Sequence, residues 1–331
     1  MKILIPFLLL ISIAVFANAQ TVKLLTSGTK TSLRGLSVVN DNLLWVSGSN
    51  GTVAKSIDAG ISWKWMTVKG FEKMDFRDIE AFDANTALIM AIAEPAYILK
   101  TTDGGETWNT VYKNETKGMF LDAMDFSNNR NGVVIGDPIM GKFFIARTAD
   151  AGNTWQEEIF VNRPLADSGE AFFASSGTNI RKLKNGNEVF VSGGFSSHFY
   201  DRKIKTLLPF VQGKETAGGN SIAVKNKNIM LVVGGNFNTK DSTTKNCFIT
   251  KDGGKKWNSP LTPPTGYRSS IEYIGNKKWI TCGLNGVDIS INNGQVFKKI
   301  STDGFNVCKK AKNGISIYLA GVNGKIGKFI F

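Results

Sequence analysis

SIDAGISW at residues 56–63, TTDGGETW at 101–108, TADAGNTW at 148–155 and TKDGGKKW at 250–257 are four copies of one phrase. Each reads Ser or Thr, any residue, Asp, any residue, Gly, any two residues, Trp. A fifth copy, SINNGQVF at 290–297, keeps the frame with Asn292 for Asp and Phe297 for Trp. The aspartates lie 45, 47 and then 102 residues apart, and the last step is two periods with one copy worn away. An Asp two residues before a Gly caps backbone N–H groups in a tight turn, and the Trp folds back beneath it. Asp58, Trp63, Asp103, Trp108, Asp150, Trp155, Asp252 and Trp257 are therefore read as structural. A single ligand cannot touch copies spread through the whole chain.

The flanks of each copy repeat as well. Upstream runs a strand pattern ending in Gly or a small residue (LLWVSGS, GVVIGDP, IMLVVGG, WITCGLN), then a loop, then a strand entering the phrase (TVAKS, YILKT, FFIART, CFIT). A further strand precedes these (LRGLSVV, FRDIEAF, FLDAMDF, YRSSIEYI), and a short one follows with the Trp. Four short strands per 40 to 51 residues, joined by Gly/Asn/Asp turns and without helical periodicity, describe a blade of a β-propeller. The fold expected is all-β, a seven-bladed β-propeller of four-stranded antiparallel blades. The blades fall at about 33–68, 76–112, 120–160, 170–210, 220–260, 267–301 and 306–331. Blade 4 lacks the phrase, with HFYDRK in its place, and blade 7 has only three strands. Residues 22–26 (VKLLT) supply its fourth, pairing with the strand that contains Phe329 and closing the ring.

The octapeptides resemble Asp-box (BNR) repeats of sialidase-like propellers. The whole-blade pattern, FRDI or LRGL followed by YILKTTDGGETW, is similar to the photosystem II stability/assembly factor-like propellers, over nearly all of residues 21–331. That resemblance implies a chaperone-like docking role, and a propeller fold by itself implies no activity.

Residues 1–19 read as a signal peptide: Lys2, an apolar run from Ile3 to Phe16, and the small-x-small site Ala17-Asn18-Ala19. Cleavage there leaves residues 20–331 as one domain, expected to be exported to the periplasm or the medium. No later segment is long and apolar enough to span a membrane. Lys and Arg number 40 against 27 Asp and Glu, a formal charge of +13 that favours acidic partners. The lysines are scattered, which argues for solubility and against nucleic acid. The three cysteines, Cys247, Cys282 and Cys308, are an odd number set in apolar strands. With one histidine and no CxxC, HExxH or calcium-loop spacing, neither a metal nor a cofactor is expected, and a monomer is.

Propeller sites open where the inner strands begin. Alignment of those beginnings places Arg34, Arg77 and Arg268 at matching positions of blades 1, 2 and 6, with Asn306 in blade 7. Asp122, Glu170 and Asn220 stand opposite. Loops on the same face add Glu94, Asp137, His198 and Asn236, and Tyr267 adjoins Arg268. Guanidinium forks bind carboxylates in a bidentate way, so the mouth is expected to take a protein partner or an anionic glycan or carboxylate ligand. The bland reading of the same charges is a network of ion pairs that stiffens the ring. The leading expectation is a non-catalytic scaffold or assembly-factor-like propeller. The alternative is a sialidase-like glycoside hydrolase, with the three arginines as carboxylate clamp and Tyr267, Glu170 and Asp78 or Asp137 as reacting groups.

Overall fold

The second-strand segments are buried along all or most of their length, with half-buried residues only at the ends of some. Leu44–Gly48 and Ala87–Ala91 have no exposed residue, whereas the outermost strands, such as Lys64–Thr67, are exposed at both ends. Continuous burial of a strand requires cover on both faces. A ring of sheets packed face to face supplies it, and a computed structural model, which describes residues 20–331 apart from residue 203, has that arrangement. The signal-peptide reading of residues 1–19 lies outside the described residues.

Seven antiparallel sheets form the ring. Blade 1 runs Leu33–Val38, Leu44–Gly48, Thr52–Ser56, Lys64–Thr67, from the central channel outward. Blade 2 (Phe76–Ala81 to Asn109–Asn114), blade 3 (Leu121–Phe126 to Gln156–Glu157) and blade 6 (Ser270–Gly275 to Lys298–Ser301) repeat the order. In blade 5 the outer position is held by a single bridge in which Ile249 and Asn258 exchange both backbone hydrogen bonds, at 2.8 and 2.9 Å. Blade 7 combines Val307–Lys310, Ile317–Ala320 and Ile326–Ile330 with Thr21–Thr26, in the order expected. Val22 pairs with Phe329, so the two ends of the chain share one sheet and no open edge remains between them.

The core is divided among the seams. Seven apolar clusters each join two adjacent blades: Trp45 and Phe76 between blades 1 and 2, Leu88 and Phe144 between 2 and 3, Phe143 and Phe190 between 3 and 4. The remaining four follow the same rule. At about 1.5–3 kcal/mol for each large side chain withdrawn from water, these seams are what hold the blades in a ring.

The four octapeptides form one turn. In the copy at 101–108, Thr101 Oγ1 donates to Asp103 at 2.8 Å and accepts from the Gly105 N–H at 3.0 Å. Asp103 accepts in turn from the N–H and hydroxyl of Thr107. Ser56/Asp58/Ser62 and Thr148/Asp150/Thr154 repeat this. In the last copy Asp252 bonds Thr250 Oγ1 and the Lys256 N–H. Trp63 and Trp257 donate to Gly60 and Gly254 carbonyls, and Trp108 and Trp155 pack on the seams of their own blades. Asp58 and Asp150 are held down at about 2 by these hydrogen bonds, chiefly those from Ser62 and Thr154, and Asp103 is lowered for the same reason.

Blade 4 departs from the sequence reading. Its inner strand is Ile180–Lys182, not the stretch beginning at Glu170, followed by Glu188–Val191, His198–Tyr200 and Lys205–Leu207. Glu170–Ala171 pairs instead with Gly193–Gly194, which joins the inner edge of blade 5 at Gly218. The chain between, FFASSGT at 172–178, is free of strand pairing and runs across the top of the channel.

Candidate binding site at the channel mouth

The inner strands of blades 1, 2, 3 and 5 each carry an irregularity near their first residues, and the extra residue is Arg34, Arg77, Asp122 and Asn220 respectively. A bulge breaks the alternation of the strand and re-aims one side chain, here at the head of the channel. The sequence alignment had matched these four positions without showing why they match. In blade 4 the residue at the head of the inner strand is Asn179, whose carbonyl accepts from the Val191 N–H.

Residues 172–178 lie over these heads unevenly. The Phe172 N–H donates to Asp137 at 2.8 Å, the Ser176 hydroxyl to the Ser269 carbonyl at 2.7 Å, and the Thr178 hydroxyl to Ser221 at 2.7 Å. Arg34 reaches the Ser175 carbonyl at 3.4 Å. One segment thus touches blades 1, 3, 5 and 6 and plugs the channel. Beneath it Asp122, Asn179 and Asn220 are buried, and both Asp122 oxygens, both Asn179 side-chain polar atoms and the Asn220 amide nitrogen have no hydrogen-bond partner among the described residues. Orphaned buried groups of this kind are characteristic sites of internal water. Burial, reinforced by the neighbouring Asp137, raises the Asp122 carboxyl well above the usual range.

Beside the plug a cavity of about 340 Å³ stays open, lined by Arg34, Arg77, Phe120, Asp137, Phe173 and Tyr267 among others. Arg77 Nε pairs with Asp75 at 2.8 Å and its guanidinium lies 5.9 Å from the Phe120 ring. Arg34 has no carboxylate within ion-pair distance among the described residues. Burial and then the adjacent Arg77 charge lower its guanidinium from the ordinary value, so the two cations are close enough to repel. Asp137 is raised to about 6 by burial. Aromatic rings frame the opening: Phe237 stands edge-on to Phe173 at 5.8 Å and to Tyr267 at 6.2 Å.

Arg268 is the correction. It was expected beside the other two arginines, yet it is fully buried and locked to Asp288 through Nε at 2.7 Å and through a second, shorter contact from Nη2. Asn285, Thr265 and the Tyr267 carbonyl take its remaining donors at 2.6–2.9 Å. It tethers blade 6 internally, and the clamp of three arginines required by the glycosidase alternative is not assembled. Tyr267 lines the cavity, but its hydroxyl donates to Asn220 at 2.7 Å, and burial pushes the phenol up to about 12.

Glu170 and His198 are also displaced from the mouth. They lie in the seam of blades 3 and 4 with Asp167, Ser192, Tyr200 and Lys205. Burial alone would raise Glu170, but hydrogen bonds from His198, Ser192, the Asp167 N–H and Tyr200 leave it below its ordinary value. Asp167, Glu170 and His198 are within 4.8 Å of one another, the spacing of a metal triad. The Lys205 ammonium already sits on both carboxylates, at 2.6 and 3.4 Å, so these residues form a closed ion-pair cluster. Glu94 is exposed and accepts from the Gly118 N–H at 2.5 Å, away from the cavity, and Asn236 is occupied by Thr216 and the Asn238 N–H.

Comparison with known proteins agrees with this architecture. The family model of the photosynthesis system II assembly factor YCF48 matches residues 15–303. The chain belongs to that family. No curated protein matches the chain. Among solved structures, YCF48 bound to D1 peptide superposes with a TM-score of 0.65 at 16% identity, covering 96% of this chain and 97% of that one. YCF48 from Cyanidioschyzon merolae gives 0.64 at 14% identity, with coverage of 93% and 98%. The Neurospora crassa Pan2 WD40 domain gives 0.60 at 12% identity, with coverage of 91% and 89%. At such identities the superpositions speak to the fold of this YCF48-family chain and not to its ligand.

Proposed function

We propose that the protein is a non-catalytic binding propeller, exported after cleavage near Ala19, that docks a carboxylate-bearing segment of a protein partner at its channel mouth as a step in assembly. The observation that carries this reading is the pair Arg34 and Arg77 in an open, aromatic-framed cavity, where the nearby Asp75 pairs with Arg77 and Arg34 has no carboxylate within ion-pair distance among the described residues. Two adjacent cations are an unfavourable arrangement in the free protein, and an anion between them relieves it. Phe120, Phe173 and Phe237 offer apolar contact to the side chains of a bound peptide. That a structural relative in the same family is described as bound to a D1 peptide supports a peptide over a glycan.

The test is fluorescence anisotropy with a labelled acidic peptide ending in a free carboxylate, against the same peptide as its neutral, amidated analogue. Binding should favour the acidic form, and Arg34→Ala/Arg77→Ala should weaken it by at least about tenfold, as expected for lost charge-assisted hydrogen bonds. Equal binding of the two peptides, or no loss in the double variant, would place the site elsewhere.

A further inference from the structure

Of the three buried cysteines, two face each other across one seam. Cys282 lies in the second strand of blade 6, Lys278–Gly283, and Cys308 in the inner strand of blade 7, Val307–Lys310. Both belong to the apolar cluster of that seam, with Ile280, Phe305 and Phe329. Ser270 brings the strands together: it is the Cα partner of Cys282 within blade 6, and its Oγ accepts from the Cys308 N–H at 3.2 Å. Cys308 Sγ also reaches the Ile280 carbonyl at 3.7 Å, two residues before Cys282 on the same face of that strand. Cys308 Sγ lies 3.7 Å from the Ser270 Oγ as well, on the face that Ser270 shares with Cys282 through their pairing. Cys247 is in blade 5, buried in the seam with blade 6 among Ile271, Trp279 and Phe297.

From this juxtaposition we infer that Cys282 and Cys308 are a disulfide-forming pair whose bond ties blade 6 to the blade that closes the ring. The oxidant is a small-molecule or protein disulfide. A thiolate of one cysteine attacks it, releasing one thiol and leaving a mixed disulfide. The second cysteine then attacks that sulfur, so the Cys282–Cys308 bond forms as the mixed bond breaks. Two electrons and two protons pass from the cysteines to the oxidant, which leaves as two thiols. Both side chains are fully buried, so the exchange belongs to folding, before the seam closes. The consequence is a covalent tether on blade 7 that acts beside the pairing of Thr21–Thr26 with Ile326–Ile330.

The experiment is to unfold the full protein in urea with reductant and refold it in glutathione with excess glutathione disulfide. It is then denatured, alkylated with iodoacetamide, and read by intact mass and peptide mapping. The expected result is loss of two of the three alkylatable thiols, with a peptide linking Cys282 to Cys308 and Cys247 alkylated. Three alkylated cysteines in refolded protein, or a link through Cys247, would overturn the assignment. Refolding is verified by circular dichroism on the same sample. Because the readout is wild-type chemistry, it does not depend on a cysteine variant folding.

Discussion

Gly177 lies directly against Asp78 across the top of the channel: a β-carbon built on Gly177 would stand 2.2 Å from the Asp78 Cγ. The same glycine has φ of +61°, a conformation that costs an ordinary L-residue about 1–2 kcal/mol. Both constraints act at the point where residues 172–178 cross from blade 4 towards blade 2. Gly177→Ala should therefore destabilise the protein by more than the backbone term alone. It should also loosen the plug, seen as faster hydrogen exchange at the Phe172 and Ile222 amides, which bond Asp137 and the Thr178 carbonyl. Unchanged exchange at both amides would mean that the plug accommodates a methyl group.

Arg268 and Arg34 should respond oppositely to truncation. Removing one partner of the fully buried Arg268–Asp288 pair leaves a buried charge, at a cost of about 3–5 kcal/mol in urea denaturation. Lysine should not rescue, since the guanidinium also serves Asn285, Thr265 and the Tyr267 carbonyl. Arg34→Ala and Arg77→Ala should stay within about 1 kcal/mol of wild type while losing ligand.

The octapeptide turns predict a stability effect without a binding effect. Asp103→Ala removes the acceptor for the Thr101 hydroxyl and for both donors of Thr107, so the melting temperature should fall by a few degrees. Affinity at the mouth, on the opposite face, should be unaltered in the same preparation. A loss of binding at full stability would assign the turn a direct role.

Asp78 gives the pH dependence of stability a definite sign. Burial raises its carboxyl to about 7, against about 3.9 in the unfolded chain. Between those values the native state holds a proton that the unfolded state has released, so stability falls as pH rises from about 4 to 7 and levels off above. The lowered aspartates act in the other direction: their contribution is present above about 4 and fades as pH drops towards 2. Urea denaturation across pH 4–8 should show the first slope, to which the raised carboxyls of Asp122, Asp137 and Glu272 add in the same sense, and Asp78→Asn should make it shallower. The variant will be less stable overall, because its amide nitrogen must face either the Ile79 or the Met124 N–H, both donors to Asp78.

The ring was legible wherever a sharp local turn marks the phase of a blade. Ser56–Trp63 and its copies pin the third and fourth strands, and the other strands follow by alternation. Val22 opposite Phe329 was legible because a three-stranded last blade needs a partner. Blade 4 has no such marker, so its inner strand was placed at Glu170, ten residues before Ile180, and the plug was mistaken for a strand. FFASSG gives itself away only weakly, as small residues and a glycine with no alternation. The partner of Arg268 lies twenty residues on, at Asp288, and no local pattern separates a buried arginine from an exposed one. The pairing of Arg34 with Arg77 survived because adjacent blades repeat the same bulge, which sequence alignment detects as a matched position.

Asp137 shares the cavity with Arg34 and Arg77 and is held by burial at about 6, so the net charge of the mouth changes near neutrality. Below that value Asp137 is neutral, and of the carboxylates beside the two arginines only Asp75, paired with Arg77, opposes an anionic ligand. Above it a carboxylate stands in the same cavity and repels the ligand. Asp122, beneath, does not reverse the trend, since its carboxyl is raised by burial too and it can only gain negative charge with rising pH. Tyr267, at about 12, contributes nothing in this range. Affinity for a fully ionised acidic peptide should therefore fall by about tenfold between pH 5 and 7.5, the order expected for one added charge at close range after screening. Asp137→Asn should bind at pH 7.5 as wild type does at pH 5, and lose the pH dependence. The decisive comparison is the anisotropy titration of both proteins at the two pH values. A slope that persists in Asp137→Asn would move the titrating group away from the mouth, to Asp78 or Asp122 in the channel below.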